Sequence, residues 1–268
     1  MKKLGKLTFI CLVLVFMYAP ILILAVYSFT DSANIGAIRG FSLHNYVTLF
    51  STEELRDMIV GTLLLAIGVA ALSTVLGTIG AIGAFYSGRK MRSAITTLNQ
   101  IPVVNADVVT GFSICILLVV VFGISKDTFF PLVAGQVVLC TPFVFLSVLP
   151  RLKQMDPGIY EAALDLGATP GMALRRIVLP YLMPGIISGF SLAITLSLDD
   201  YFVATYTKPA TFDTISTYVV NATKGAQTSI KTALWALSTV IFAIVILLVI
   251  LMNVRNSRGT SAGMKAEG

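Results

Sequence analysis

Charge is what this chain has least of. Asp, Glu, Lys and Arg make up 12% of its 268 residues, 56% are hydrophobic, and the mean hydropathy is +0.90. A water-soluble domain carries charge on roughly a quarter of its residues, so that class is excluded. There is one histidine, His44, and there are three cysteines, Cys11, Cys115 and Cys140, all inside apolar runs and without metal-ligand spacing. The cysteines read as small packing residues, with neither a metal centre nor a disulfide implied. Also missing are a Walker phosphate loop, a GxSxG elbow and an HExxH helix. The chain is therefore read as a non-enzyme with no cofactor and no nucleotide site of its own, dependent on a partner for energy. Its net charge of +6 does not make a nucleic-acid patch, because the bases fall in short clusters between apolar runs.

Those runs set the fold class, an all-α polytopic membrane protein. Six spans are expected, at 9–29, 59–86, 101–122, 129–149, 181–206 and 233–253. Counting Lys and Arg between them gives thirteen on the side of both termini and of residues 150–180, against six on the other. By the positive-inside rule the N-terminal residues 1–8, the segment 150–180 and the tail 254–268 face the cytoplasm, the tail being polar enough to be disordered. The outer connections 31–58 and 207–232 are rich in Thr, Ser and Asn and are expected to hold short surface helices able to receive a soluble partner. His44 lies in the first of them as a solvated or capping residue.

Residues 150–180 are the longest polar interval on the cytoplasmic side. Asp156 before Pro157 is an N-cap followed by a first-turn proline, and Thr169 before Pro170 repeats the device. Between them Ile159, Ala162, Ala163 and Leu166 form an apolar stripe at i, i+3, i+4 and i+7, and Gly167 supplies a helix stop. The expected form is helix, tight corner and second helix, ending at Leu179-Pro180, where the next span begins.

The same residues carry a resemblance. Glu161, Ala162 and Ala163, then Gly167 after three residues, then Ile177, Leu179 and Pro180 after nine more, match the EAA-x3-G-x9-I-x-LP signature of the permease subunits of ABC importers. The resemblance implies a type I importer permease in a bacterial inner membrane. This loop would then be the element that meets an ATP-hydrolysing subunit. Implied partners are a second related permease, two cytoplasmic ABC ATPases that bind ATP and Mg, an external substrate-binding protein, and the lipid bilayer.

Carboxylates inside spans indicate the cargo, because an unpaired acid near the bilayer centre costs about 2.5–3.5 kcal/mol. Three fall there, Asp107, Asp199 and Asp200, with no Lys or Arg in the same spans. A path lined by such acids favours a cation. At about 100° per residue, Ser188, Ser191, Thr195 and Asp199 share a polar stripe about 80° wide, and Asp200 is turned away towards a neighbouring helix or subunit. Tyr201, Phe202 and Tyr206 add aromatic faces suited to alkylammonium groups or to a membrane-interface belt. On the second span Ala66, Ala70, Thr74 and Thr78 form a narrow face for close helix packing, within the subunit or against a partner.

Four segments, YAPILILAVYSF, VVNADVVTGFSI, the coupling loop and TLSLDDYFVATYT, resemble the shorter permease of the spermidine/putrescine importers. The resemblance implies a polyamine path through Asp107, Thr195, Asp199, Asp200 and Tyr201. Ala106 stands where that family usually has proline, leaving the local backbone open. Permeases for an iron complex, sulfate or a phosphonate share the architecture. An ion-coupled secondary transporter would use the aspartates as relays and need no ATPase.

Overall fold

The computed structural model describes residues 2–30, 40–224, 235–243 and 246–247. All regular structure among them is helical. Two compact units divide the chain, one of residues 58–217 and one of residues 1–57 with 218–268.

The larger unit is built on glycine. Helix α6 (Phe130–Gln154) packs along α9 (Leu179–Asp199), and Val144 of α6 is the central residue of the contact. A Cβ on Gly189 of α9 would stand 3.1 Å from the Val144 Cα, and one on Gly77 of α3 (Glu53–Tyr86) would stand 2.7 Å from the Val144 Cβ. Lipid supplies no hydrophobic force between helices, so this backbone proximity is what gives them dispersion contacts. Ala66, Ala70 and Thr78 of the small-residue face are buried here, so that face serves packing within the chain.

Among the described residues four helical stretches are long and apolar enough to cross a membrane, Thr8–Ser28 in α1 (Lys2–Ser28), Glu53–Tyr86, Phe130–Gln154 and Pro170–Asp199. A fifth is a bent pair, α4 (Arg89–Val104) and α5 (Asp107–Cys115, continued by a π-helical turn Ile116–Val121), meeting at 105°. The single helix expected over 101–122 is thus corrected. Asn105 and Ala106 are both extended, and the Asn105 amide donates to Thr110 Oγ1 at 3.0 Å across the break. Of the expected sixth span, 233–253, the described residues are 235–243 and 246–247, all helical, and the rest lies outside them.

In the smaller unit the end of α1 is held by α2 (His44–Ser51). The buried Asn45 amide donates to the carbonyls of Ser28 and Thr30, groups the helix end leaves without N–H partners. His44 is the first, exposed residue of α2. Tyr27 of α1 meets Trp235 edge to face at 5.4 Å.

Candidate coupling loop and translocation face

Local hydrogen bonds shape the loop as its sequence predicts. The Asp156 carboxylate accepts from Gly158 N–H at 2.9 Å and opens α7 (Pro157–Asp165), while Thr169 Oγ1 accepts from Met172 N–H and opens α8 (Pro170–Ala173). Gly167 has φ +84°, the left-handed conformation, and the Ala168 N–H closes back on the Ala163 carbonyl at 3.0 Å. Glu161 and Ala162 are exposed and Ala163 is buried; Leu166 is 90% exposed. The apolar stripe therefore turns mostly away from the chain's own core. Tyr160 anchors the inner side of α7 against Tyr86 at the end of α3, ring centroids 5.3 Å apart.

The second short helix does not stop at Leu179-Pro180. It continues through a π-helical turn, Leu174–Val178, into α9, giving one unbroken stretch from Pro170 to Asp199. Pro180 has no N–H for the carbonyl four residues back, and the wider turn before it absorbs that loss. Ile177 is half-buried in the turn, and Leu179 and Pro180 are exposed just beyond it. Loop and span are mechanically continuous.

Along α9 the polar stripe faces outward. Ser188, Thr195 and Asp199 are exposed and Ser191 is half-buried, while Leu182, Gly185, Gly189 and Ala193 face the core. Ser188, Ser191 and Thr195 each donate to the carbonyl four residues back, so their hydroxyls reach the face already satisfied. Asp200, next in sequence, is 6% exposed. Its Oδ1 accepts from Val203 N–H and its Oδ2 from Ala204 N–H, both at 3.0 Å, capping the first turn of α10 (Phe202–Thr207). Tyr201 is half-buried, with its ring against Phe202 at 5.2 Å.

Asp107 opens α5, where its carboxylate complements the helix N-terminus, and it is exposed. Helix α5 lies on α10 so closely that a Cβ on Gly111 would stand 2.8 Å from the Val203 Cα. Asp107 opens one of these two packed helices and Asp200 caps the first turn of the other. The base that follows these acids in sequence, Lys208, is turned to Asp213 at 3.0 Å and to the Phe212 carbonyl.

A family model described as the binding-protein-dependent transport system inner membrane component matches residues 73–261, more than half of the chain. The chain belongs to this family. It is a membrane permease of the ABC importer class. This permease is 30% identical to the spermidine/putrescine transport system permease protein PotC of Haemophilus influenzae, over 91% of this chain and 93% of that one. It is 36% identical to the putrescine transport system permease protein PotI of Escherichia coli, over 71% and 70%. The fold is also that of a chain in a bacterial ABC transporter that imports alginate, with a TM-score of 0.74 over 96% of the permease and 94% of that chain at 20% identity.

Sequence reasoning missed one member of this region of the permease. Gln136 of α6 is wholly buried, donating to Asp200 and accepting from Ser197. A search restricted to ionisable side chains passes over it. The available signal was an amide within the apolar run of a helix, a group whose burial without partners is costly.

Proposed function

We propose that this permease carries polyamines, spermidine or putrescine, in an importer driven by ATP hydrolysis on partner subunits. The observation that carries the reading is the exposed face of α9, where Ser188, Ser191, Thr195 and Asp199 run together on a helix without a single Lys or Arg. The names of the relatives support the same cargo.

In this reading the hydroxyls replace part of the cargo's hydration while Asp199 and Asp107 attract its ammonium groups, weakly enough for release. Tyr201 offers a ring edge beside them, and Asp200 acts on the path through the α9–α10 joint. Two related permeases form one path, and an external binding protein delivers the cargo. Two cytoplasmic ABC ATPases hold ATP and Mg and receive the coupling loops. Glu161 pairs with a base on the ATPase, Ala162 fits its cleft, and Ala163 and Gly167 keep the corner rigid. Ile177, Leu179 and Pro180 pass the displacement into α9, so that nucleotide-driven closure opens the path alternately to each side. Both termini and the loop lie in the cytoplasm.

The test is uptake of labelled spermidine and putrescine into proteoliposomes containing the assembled transporter. Uptake that requires ATP and ignores a proton gradient is expected. Uptake driven by the gradient without ATP contradicts the importer reading, and saturable ATP-driven uptake of an anion instead of either amine contradicts the cargo.

A further inference from the structure

We infer that Gln136 is a positioning residue that latches the joint between α9 and α10 and so keeps Asp199 on the exposed face. The importance of that face rests on the reading proposed above; the latch itself is read from hydrogen bonds.

Gln136 is 0% exposed and its one amide joins two segments distant in sequence. Its Nε2 donates to Asp200 Oδ2 at 3.1 Å, and its Oε1 accepts from Ser197 Oγ at 2.7 Å. Ser197 and Asp200 are themselves buried, and Asp200 passes the connection on to the Val203 and Ala204 N–H groups. A continuous buried chain of hydrogen bonds thus runs from the middle of α6, across the last turn of α9, into the first turn of α10. Asp199 takes no part in this chain and stays exposed.

The joint needs such a latch. Asp200 is extended, at φ −65° and ψ 114°, so the direction of the last α9 residue depends on where its neighbour is anchored. Val203 of α10 fits against Gly111 and Gly135, and Ser216 Oγ donates to the Leu198 carbonyl at 2.7 Å, but neither contact ties Asp200 to the last turn of α9. An aliphatic residue at position 136 would fill the same volume, but it would take the acceptor from the Ser197 hydroxyl and leave Asp200 Oδ2 with the Ala204 N–H alone. A partly satisfied polar network in an apolar interior rearranges, because each orphaned group is strongly penalised.

The test uses the assembled transporter in proteoliposomes, without cargo. Cys11, Cys115 and Cys140 are replaced by Ala, Asp199→Cys is introduced, and labelling by a charged, water-soluble thiosulfonate is timed. Gln136→Leu is expected to slow labelling at least fivefold. Gln136→Leu combined with Ser197→Ala removes the hydroxyl that Gln136→Leu orphans and is expected to be no slower than Gln136→Leu alone, because Ser197 acts through Gln136. If Gln136→Leu does not assemble, Ser197→Ala removes one arm of the latch and is expected to slow labelling about twofold. A parental rate in whichever single variant assembles overturns the latch, as does a further slowing in the double variant. Labelling slowed to the same extent in Gln136→Leu and in the double variant, with undisturbed polyamine uptake, supports the latch and removes Asp199 from the path, which separates the two readings.

Discussion

Asp199 and Asp200 are adjacent in sequence and opposite in environment. The first ends α9 with its carboxylate exposed, and the second is 6% exposed with its carboxylate holding Gln136, Val203 and Ala204. A turn of about 100° per residue, with the helix ending between them and Gln136 holding Asp200, separates an exposed acid from a structural one.

Asp200→Ala therefore acts on stability. It orphans the Gln136 amide and two N–H groups of α10, and an unsatisfied buried group costs about 1–3 kcal/mol. Thermal unfolding of the purified complex in detergent is expected to show a clear drop in Tm. Asp199→Ala, at an exposed helix end, is expected to leave the Tm unchanged.

Ala106→Pro is expected to stabilise the permease. Ala106 has φ −66° and ψ 135°, values that proline prefers, and Asn105 before it is extended at φ −76° and ψ 147°, as a residue preceding proline must be. A compatible proline restricts the unfolded chain and contributes about 0.4–1 kcal/mol. A rise in Tm with unaltered uptake is the expected result, and a fall would mean that the break between α4 and α5 has another geometry.

Gly167→Ala strains the corner of the coupling loop. At φ +84° an L side chain costs about 1–2 kcal/mol, which the loop escapes by changing its angle. Transport per ATP hydrolysed is expected to fall several-fold while hydrolysis itself persists. Gly167→Asn, which tolerates the left-handed region, is expected to retain more coupling.

How much was legible depended on the range of the interactions. Asp156, Thr169 and Gly167 bond to groups within five residues, so spacing alone placed the caps and the corner. The outward face of α9 was equally legible, because the helix stays regular through Asp199. The break at Asn105-Ala106 was not, since neither residue is proline or glycine and the break is bridged by a side-chain amide-to-hydroxyl bond. The run through Leu179-Pro180 was read as a boundary because the next apolar segment begins there, and the π-helical turn that joins the two leaves no sequence mark. Gln136 bonds to Asp200 across 64 residues, and only tertiary packing reveals such a pair.

The most direct test of the central claim is a paired measurement on Asp199→Asn in the assembled transporter, following spermidine uptake and ATP hydrolysis in the same proteoliposomes. The side chain keeps its size and loses its charge at an exposed position, so assembly and basal hydrolysis are expected to remain while uptake falls about tenfold. Uptake unchanged at every spermidine concentration would contradict a cation path past the end of α9.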